Sequence, residues 1–169
     1  RSRGLGDVYK RQVFTLSVDH GRSPNNGDYA YMVIPSADPL SIEKQVEEEG
    51  VVILANCPEV QAVRHDGLNM AYAAFYKGGT LRIHDKIVVE MDSPGMLMVK
   101  YNDAGEILAL GVSDPTRFMK KLHLSVNQKI VGAVQENIQT EWDEKQALTR
   151  ITVDLPQNEY AGKSVIYNK

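Results

Sequence analysis

Residues 51–112 read VVILANCPEVQAVRHDGLNMAYAAFYKGGTLRIHDKIVVEMDSPGMLMVKYNDAGEILALGV, a series of short apolar runs interrupted by turn-forming residues. An Asp-Gly pair follows His65, two glycines follow Lys77, and a Pro-Gly pair follows Ser93. Turn signals that recur about every 8 to 12 residues are typical of a β-sandwich or barrel, and antiparallel hairpins are the economical connection. We therefore predict a mainly β fold, an antiparallel β-sandwich.

Outside the turn-forming residues, the apolar runs predict short strands along most of the chain. Within the opening stretch the predicted strands are residues 51–55, 59–64, 68–76, 81–83, 87–91, 96–101 and 107–112. Three more follow at residues 122–126, 149–155 and 164–167. Residues 137–146 fit a strand through Trp142 and a polar loop about equally well, so both interpretations stay open.

One short helix is predicted near residues 39–48. Asp38 is a natural N-cap, Pro39 suits the first helical position, and Gly50 is a plausible C-terminal stop. The positions of Leu40, Ile42 and Val46 favour a partial apolar face on this helix.

The composition describes a chain of 169 residues with a single cysteine, Cys57, which can form no internal disulfide. A domain of roughly 150 residues buries enough surface to be stable without cross-links. No apolar run approaches the roughly 18 residues of a membrane-spanning helix, so no membrane partner is expected.

Residues 1–12, RSRGLGDVYKRQ, have no periodicity and carry four basic residues and one acidic residue. They resemble translated sequencing adapter, and we interpret them as a non-native head. Without them the formal net charge moves from −3 to −6. An acidic chain of this kind is a poor nucleic-acid binder, because phosphate neutralisation needs clustered Lys and Arg.

Residues 13–34, VFTLSVDHGRSPNNGDYAYMVI, contain two apolar runs separated by a polar segment rich in Gly, Pro and Asn. The first run alternates, with Phe14, Leu16 and Val18 on one face, and predicts a half-buried strand. Both faces of the second run, residues 29–34, are largely apolar, so we expect a strand that is covered on both sides. Residues 20–28 form the connection.

Motifs for catalysis, metals and cofactors are missing from this sequence. The four histidines, His20, His65, His84 and His123, have no zinc-site spacing, and Cys57 lacks a nucleophile motif. No P-loop, dinucleotide fingerprint or G-x-S-x-G occurs. The carboxylates of Asp92 and Asp114 stand beside Pro-containing turns, where we expect them to cap the turn. We predict no catalytic residue, metal site or cofactor.

Aromatic side chains leave a second interpretation open, because sugar-binding surfaces present flat rings to pyranoses. The candidates are Tyr29, Tyr31, Tyr72, Phe75, Tyr76 and Trp142. At strand spacing such residues are more often packed in or beside a core.

The segment VDHGRSPNNGDYAYMVIP, residues 18–35, resembles the pattern D-H-G-x-x-P-x-N-x-x-Y-x-Y-x-x-x-P of polysaccharide lyase family 8, the hyaluronate, chondroitin and xanthan lyases. The matching positions are Asp19, His20, Gly21, Pro24, Asn26, Tyr29, Tyr31 and Pro35. PEVQAVRHDGLNMAYAAFYKGG, VSDPT and the closing ITVDLPQNEYAGKSV are also similar to segments of this family.

The resemblance implies a fragment of a larger enzyme. Residues 13–35 would be the last strands of a truncated central β-sandwich, and residues 36–169 the C-terminal β-sandwich. The family's catalytic Asn, His, Tyr and Arg lie on an N-terminal α/α-toroid, which is missing here. There a base removes the C5 proton of a uronic acid for β-elimination, while Asn and His neutralise the carboxylate.

The expected role is a structural cap of a lyase that acts on acidic polysaccharides, with the missing toroid and central sandwich as its partners. Any substrate contact is expected from the loop of residues 20–28, through His20, Arg22 and Asn26, although stabilisation of the turn is the favoured role of these residues. The resemblance also implies an extracellular or periplasmic location. Two alternatives stay open, a free-standing carbohydrate-binding β-sandwich and a structural sandwich from an unrelated protein.

Overall fold

The computed structural model describes residues 15, 17–35, 38, 40–48, 50–130 and 136–169. The chain divides into two compact units, Arg1–Pro35 and Ser36–Lys169. All the regular secondary structure of the described residues lies in the second unit.

The second unit contains one α-helix, eleven strands and two 3-10 helices among its described residues. The helix is α1 (Ile42–Glu48), and the 3-10 helices are Asp66–Leu68 and Asn158–Tyr160. The strands are β1 (Val51–Asn56), β2 (Val60–His65), β3 (Met70–Phe75), β4 (Gly79–His84), β5 (Ile87–Met91), β6 (Gly95–Tyr101), β7 (Ile107–Ser113), β8 (Lys121–Val126), β9 (Ile138–Asp143), β10 (Leu148–Asp154) and β11 (Val165–Asn168).

The strands form two antiparallel sheets. The six-stranded sheet has the order β1-β2-β3-β6-β7-β11, and the five-stranded sheet has the order β4-β5-β8-β10-β9. Hairpins join β1 to β2, β2 to β3, β4 to β5, β6 to β7 and β9 to β10. This arrangement confirms the predicted mainly β antiparallel sandwich with one short helix.

A single apolar core lies between the sheets, because alternate residues of each strand point inward. In β6 the buried positions are Gly95, Leu97, Val99 and Tyr101, and in β5 they are Ile87, Val89 and Met91. Burial of each large aliphatic side chain contributes about 1.5 to 3 kcal/mol. Strand alternation in the sequence therefore determines which face of each sheet forms the core.

Gly95 marks a point where the two sheets approach closely. A Cβ atom at this position would lie 2.9 Å from Leu122 Cδ1 and 3.0 Å from Met91 Cε. Both neighbours belong to the five-stranded sheet, whereas Gly95 begins β6 of the other sheet. The missing side chain gives Leu122 and Met91 their space in the core.

The predicted helix forms, but it begins later than expected. Asp38 Oδ1 accepts a hydrogen bond from Leu40 N (3.1 Å), and Asp38 O accepts one from Ser41 N (3.0 Å). These bonds close a turn before α1 instead of its first helical turn. Gly50, with φ +62°, follows the helix as predicted. Leu40 is 97% exposed, and Ile42 and Val46 are exposed as well, so the predicted apolar face covers no core here.

The strand predicted at residues 29–34 is not found, whereas the strand predicted at residues 13–18 falls partly on residues outside the described part of the chain. Residues 13, 14 and 16 lie outside the described part, and none of residues 15 and 17–34 belongs to a strand. Tyr29, Tyr31 and Val33 are exposed, so the expected cover on both faces is wrong for this chain. Alternation alone does not make a strand, because backbone groups need a pairing partner and an isolated hairpin is marginally stable.

The ambiguous segment of residues 137–146 contains a strand. β9 pairs along its length with β10, and Trp142 lies opposite Thr149. Its inward positions, Ile138 and Trp142, are buried and half-buried, while Gln139 and Glu141 are exposed. The polar side chains that obscured the strand in the sequence belong to its outer face.

Candidate functional site

The loop that the sequence predicted as a substrate contact is held by local hydrogen bonds and left-handed backbone. Asp19 Oδ1 accepts a hydrogen bond from Gly21 N at 2.8 Å. Gly21, Ser23 and Asn26 have φ values of +74°, +55° and +55°. Gly and Asn tolerate this region best, which explains the Gly and Asn of the motif in physical terms.

Within this loop the His20 ring packs back on its own segment. Its Nδ1 would lie 3.1 Å from a Cβ atom at Gly27, and its centroid is 6.2 Å from that of Tyr29. Tyr29 in turn stacks on Tyr31, with centroids 6.4 Å apart and an interplanar angle of 11°. The motif residues therefore form one local cluster. The contact of His20, Arg22 and Asn26 with substrate stays a prediction.

The outer face of the five-stranded sheet carries a concave polar surface that the sequence reasoning missed. We call it the polar groove, and its volume is about 570 Å³. Its polar side chains come from four neighbouring strands and the turn after β5: Glu90, Asp92, His123, Ser125, Gln139, Glu141, Arg150 and Thr152. The signal available in the sequence was the alternation of polar with apolar residues in β8 and β10.

Strand register places these side chains in two rows. One row crosses the sheet as Glu90, Ser125, Arg150 and Glu141. The other contains His123, Thr152 and Gln139. His123 Nδ1 lies 3.0 Å from Thr152 Oγ1, a hydrogen bond that orients the imidazole along the sheet.

The outer face of the six-stranded sheet carries a row of apolar side chains beside exposed polar residues such as Gln61 and Lys100. Register partners on this face form a row across all six strands, which we call the apolar row: Ile53, Val63, Tyr72, Met98, Gly111 and Ile166. Four of them, Ile53, Val63, Tyr72 and Ile166, are 38–52% exposed. A Cβ atom at Gly111 would lie 3.4 Å from Met98 Cε and 3.7 Å from Ile166 Cγ1, so these side chains flank the glycine.

Asp114, in the VSDPT segment, is a buried carboxylate with a structural role. It accepts hydrogen bonds from the Thr116 hydroxyl and from the backbone N–H groups of Thr116, Phe118 and Met119. Burial raises the pKa of Asp114, but these hydrogen bonds outweigh it and hold the pKa below its ordinary value. The predicted capping role is confirmed.

Two further polar side chains tie the sheets together. Arg64 of β2 donates to Ile83 O of β4 at 3.1 Å and pairs with Asp66, and hydrogen bonding to Arg64 lowers the pKa of Asp66. Gln128 donates to Lys86 O and Gly105 O, and its Oε1 accepts from Ile107 N at 3.0 Å. These contacts rigidify the sandwich behind both outer faces.

The aromatic candidates of the second interpretation do not share one sheet. Tyr76 follows β3 and donates its hydroxyl to Gln61 Oε1 at 3.1 Å, whereas half-buried Trp142 lies in β9 beneath the Lys129 ammonium, 5.7 Å from its ring centroid. Phe75 is buried in the core, and Tyr72 belongs to the apolar row. The described residues thus offer no platform that combines Tyr76 with Trp142.

Among the residues that the structure describes, no group of three or more His, Cys, Asp or Glu side chains could hold a metal ion. No helix in that part of the chain is long and apolar enough to cross a membrane.

Comparisons with known proteins agree with the fold. A family profile described as polysaccharide lyase family 8, C-terminal beta-sandwich domain, matches residues 52–123. Chondroitinase-AC of Pedobacter heparinus is 30% identical over 159 residues, which cover 94% of this chain and 20% of that protein. Hyaluronate lyase of Thermasporomyces composti is 27% identical over 160 residues, 94% of this chain and 19% of that protein.

A solved structure of chondroitinase AC lyase, determined with oligosaccharide complexes, superposes with a TM-score of 0.64 at 30% identity. The superposition covers 85% of this chain and 19% of that one. The chondroitin AC lyase of Streptomyces coelicolor A3 has a TM-score of 0.65 at 19% identity, which supports the fold. This chain spans about one fifth of the length of the relatives it matches.

Two antiparallel sheets around one core define a β-sandwich module, whose described residues contain no metal cluster. The chain carries the C-terminal β-sandwich domain of polysaccharide lyase family 8. The resemblance that residues 18–35 and the later segments indicated is thereby confirmed.

Proposed function

We propose that this domain is the non-catalytic C-terminal cap of a longer lyase that cleaves acidic polysaccharides by β-elimination. The observation that carries the proposal is the apolar row. Monomeric soluble proteins rarely expose a contiguous apolar surface of several strands, and such patches mark protein interfaces. The relatives are about five times as long as this chain, so a family member has ample protein to cover that face.

Charge supports a cap in preference to a substrate-holding face. A polyanionic substrate favours a cleft with positive potential. Outside residues 1–12 the formal net charge of this chain is −6, and the polar groove holds three carboxylates against one guanidinium. Catalysis and tight polymer binding would then belong to the rest of the enzyme.

The loop of residues 20–28 is the one place where we propose a contact with the polysaccharide. His20, Arg22 and Asn26 are exposed and supply hydrogen-bond donors. The named activities of the relatives, chondroitinase and hyaluronate lyase, motivate the substrate class. An extracellular or periplasmic location belongs to the same proposal, since such polymers lie outside the bacterial cell.

The first test is to recover the DNA upstream of this sequence in its source. We expect it to encode an α/α-toroid and a central β-sandwich in the same reading frame. The long chain should generate the absorbance of unsaturated uronate from chondroitin or hyaluronan, whereas the 169-residue chain should not. Turnover by the short chain would contradict the non-catalytic role.

The second test compares one substitution pair in two contexts. Val63→Lys with Ile166→Lys should change the stability of the isolated domain by no more than about 0.5 kcal/mol per site, because both side chains are exposed. In the long chain the same pair should destabilise the protein by several kcal/mol, because buried charges would lose their hydration. Thr80→Lys, on the exposed outer side of β4, is the matched control. Equal effects in both contexts would refute docking on the apolar row.

A further inference from the structure

The polar groove differs from an ordinary solvated sheet face in its concave shape. Its volume of about 570 Å³ falls within the range of roughly 300 to 1,000 Å³ that is usual for small-ligand sites. The short side chains of Ser125 and Thr152 form its floor, while Glu90 and Gln139 project from the flanking strands. A ligand could therefore reach the middle of the sheet.

Local contacts keep the floor open. Arg150 Nη2 donates to Asp143 Oδ2 at 3.2 Å and also bonds Gln146 Oε1, so its guanidinium is directed toward the β9–β10 turn. His123 is held by Thr152 at 3.0 Å. The His123 and Arg150 side chains are thus positioned by partners within the sheet and its hairpin.

Several polar groups of the groove have no side-chain partner in the part of the chain that the structure describes. Among the described residues, the side chains of Glu90, Ser125, Gln139 and Glu141 form no hydrogen bond or ion pair with another described residue. The two carboxylates only accept hydrogen bonds, and the amide of Gln139 can both donate and accept. A ligand in the groove can therefore pair with these side chains through hydroxyl or similar donors.

Charge narrows the ligand class. Glu90, Asp92 and Glu141 oppose Arg150, so an anionic polymer meets a surplus of negative charge. A lysine or arginine side chain could pair with these carboxylates, but it cannot accept a hydrogen bond from the Gln139 amide. An uncharged, hydroxyl-rich chain satisfies both donors and acceptors at no cost in charge repulsion.

We propose that the polar groove is a binding site for an uncharged oligosaccharide, distinct from the acidic polymer proposed as the substrate. The two register rows extend over four strands, a width of about 14 Å at the usual strand spacing. That width accommodates a short run of sugar units lying across β5, β8, β10 and β9. The inference goes beyond the cap function and does not depend on it, since the groove and the apolar row lie on different sheets.

The test uses the 169-residue chain, labelled with nitrogen-15, and four probes. Cellohexaose and N-acetylchitohexaose are the uncharged probes, and a chondroitin sulfate hexasaccharide and an oligolysine peptide are the charged ones. At least one uncharged probe at millimolar concentration should shift the amide signals of Ser125, Arg150 and Thr152. The charged probes should leave those signals in place.

A double variant and a matched control make the assignment specific. Gln139→Ala with Glu141→Ala removes two exposed groove side chains, and affinity should fall at least about tenfold, as expected for lost hydrogen bonds to a charged group. Glu159→Ala removes an exposed acid outside the groove and should leave affinity unchanged. Any of three results would overturn the proposal: no signal shift with either uncharged probe, unchanged binding by the double variant, or binding of a charged probe in the groove.

Discussion

Single residues secure this sandwich where the chain leaves regular structure, and Asp114 is the strongest example. One buried carboxylate accepts four hydrogen bonds from the turn between β7 and β8. Buried backbone N–H groups that lose their acceptor carry the full cost of desolvation. The fold therefore depends on the ionised form of this side chain.

Asp114→Ala should destabilise the domain by about 3 kcal/mol, because four part-buried donors lose their acceptor at once. Urea unfolding followed by Trp142 fluorescence would measure the loss. Asp103→Ala, an exposed carboxylate bonded to Asn69, is the control and should cost much less. Equal losses for the two variants would contradict the structural role.

The same carboxylate makes stability depend on pH. The native pKa of Asp114 lies below its ordinary value, so the ionised form stabilises the fold above the unfolded pKa of about 3.9. That contribution disappears as the pH falls through the native pKa. The free energies of unfolding of the unsubstituted chain and of the Asp114→Ala variant should therefore differ most at neutral pH and converge in acid.

At the scale of an element, the turn from β3 into β4 shows how two adjacent glycines differ. A Cβ atom at Gly78 would lie 2.6 Å from Asp92 O and 2.7 Å from Asp92 C, both backbone atoms. At Gly79, the first residue of β4, nothing lies within 4 Å of that position. Only Gly78 must lack a side chain, because the backbone of the β5–β6 connection packs against it.

Gly78→Ala should therefore destabilise the domain by about 1 to 3 kcal/mol, since the Asp92 backbone must move to make room. Gly79→Ala should be neutral or slightly stabilising, because its main effect is to restrict the unfolded chain. Thermal unfolding of the two variants provides the comparison. A larger loss at Gly79 than at Gly78 would contradict the described turn.

At the scale of the whole second unit, one sandwich presents two unlike outer faces. The six-stranded sheet carries the apolar row, and the five-stranded sheet carries the polar groove. In each strand, core residues alternate with residues that point outward, and these outward residues determine the character of each outer face. A domain of this design can dock by one face and leave the other in water.

In isolation, the exposed apolar row should cause reversible self-association at high protein concentration. Val63→Lys and Ile166→Lys should reduce this self-association, since both positions are exposed and a charge there hinders burial of the face. Sedimentation velocity over a concentration series would show the shift toward monomer. Ser125→Lys, on the other sheet, should leave the association unchanged; a chain that stays monomeric throughout would contradict the prediction.

The sequence by itself determined the sandwich class, the position of most strands and the family, because alternation and turn residues are local signals. The motif carried the resemblance although residues 18–35 form no strand here, since strand pairing requires partners that alternation cannot supply. The first residue of α1 and the choice between strand and loop at residues 137–146 likewise depended on contacts that the local pattern does not encode.

Only the tertiary structure decided how strands distant in sequence share a face. The apolar row joins β1 to β11, and the polar groove joins β5 to β9, through registers set by pairing across the whole sheet. Residues 18–35 keep the sequence signature of the family, while the strands of residues 51–168 build the core that alternation predicted. Which side chains become neighbours is a property of the folded sheets, because hydrogen-bonded register is a long-range choice that no short segment determines alone.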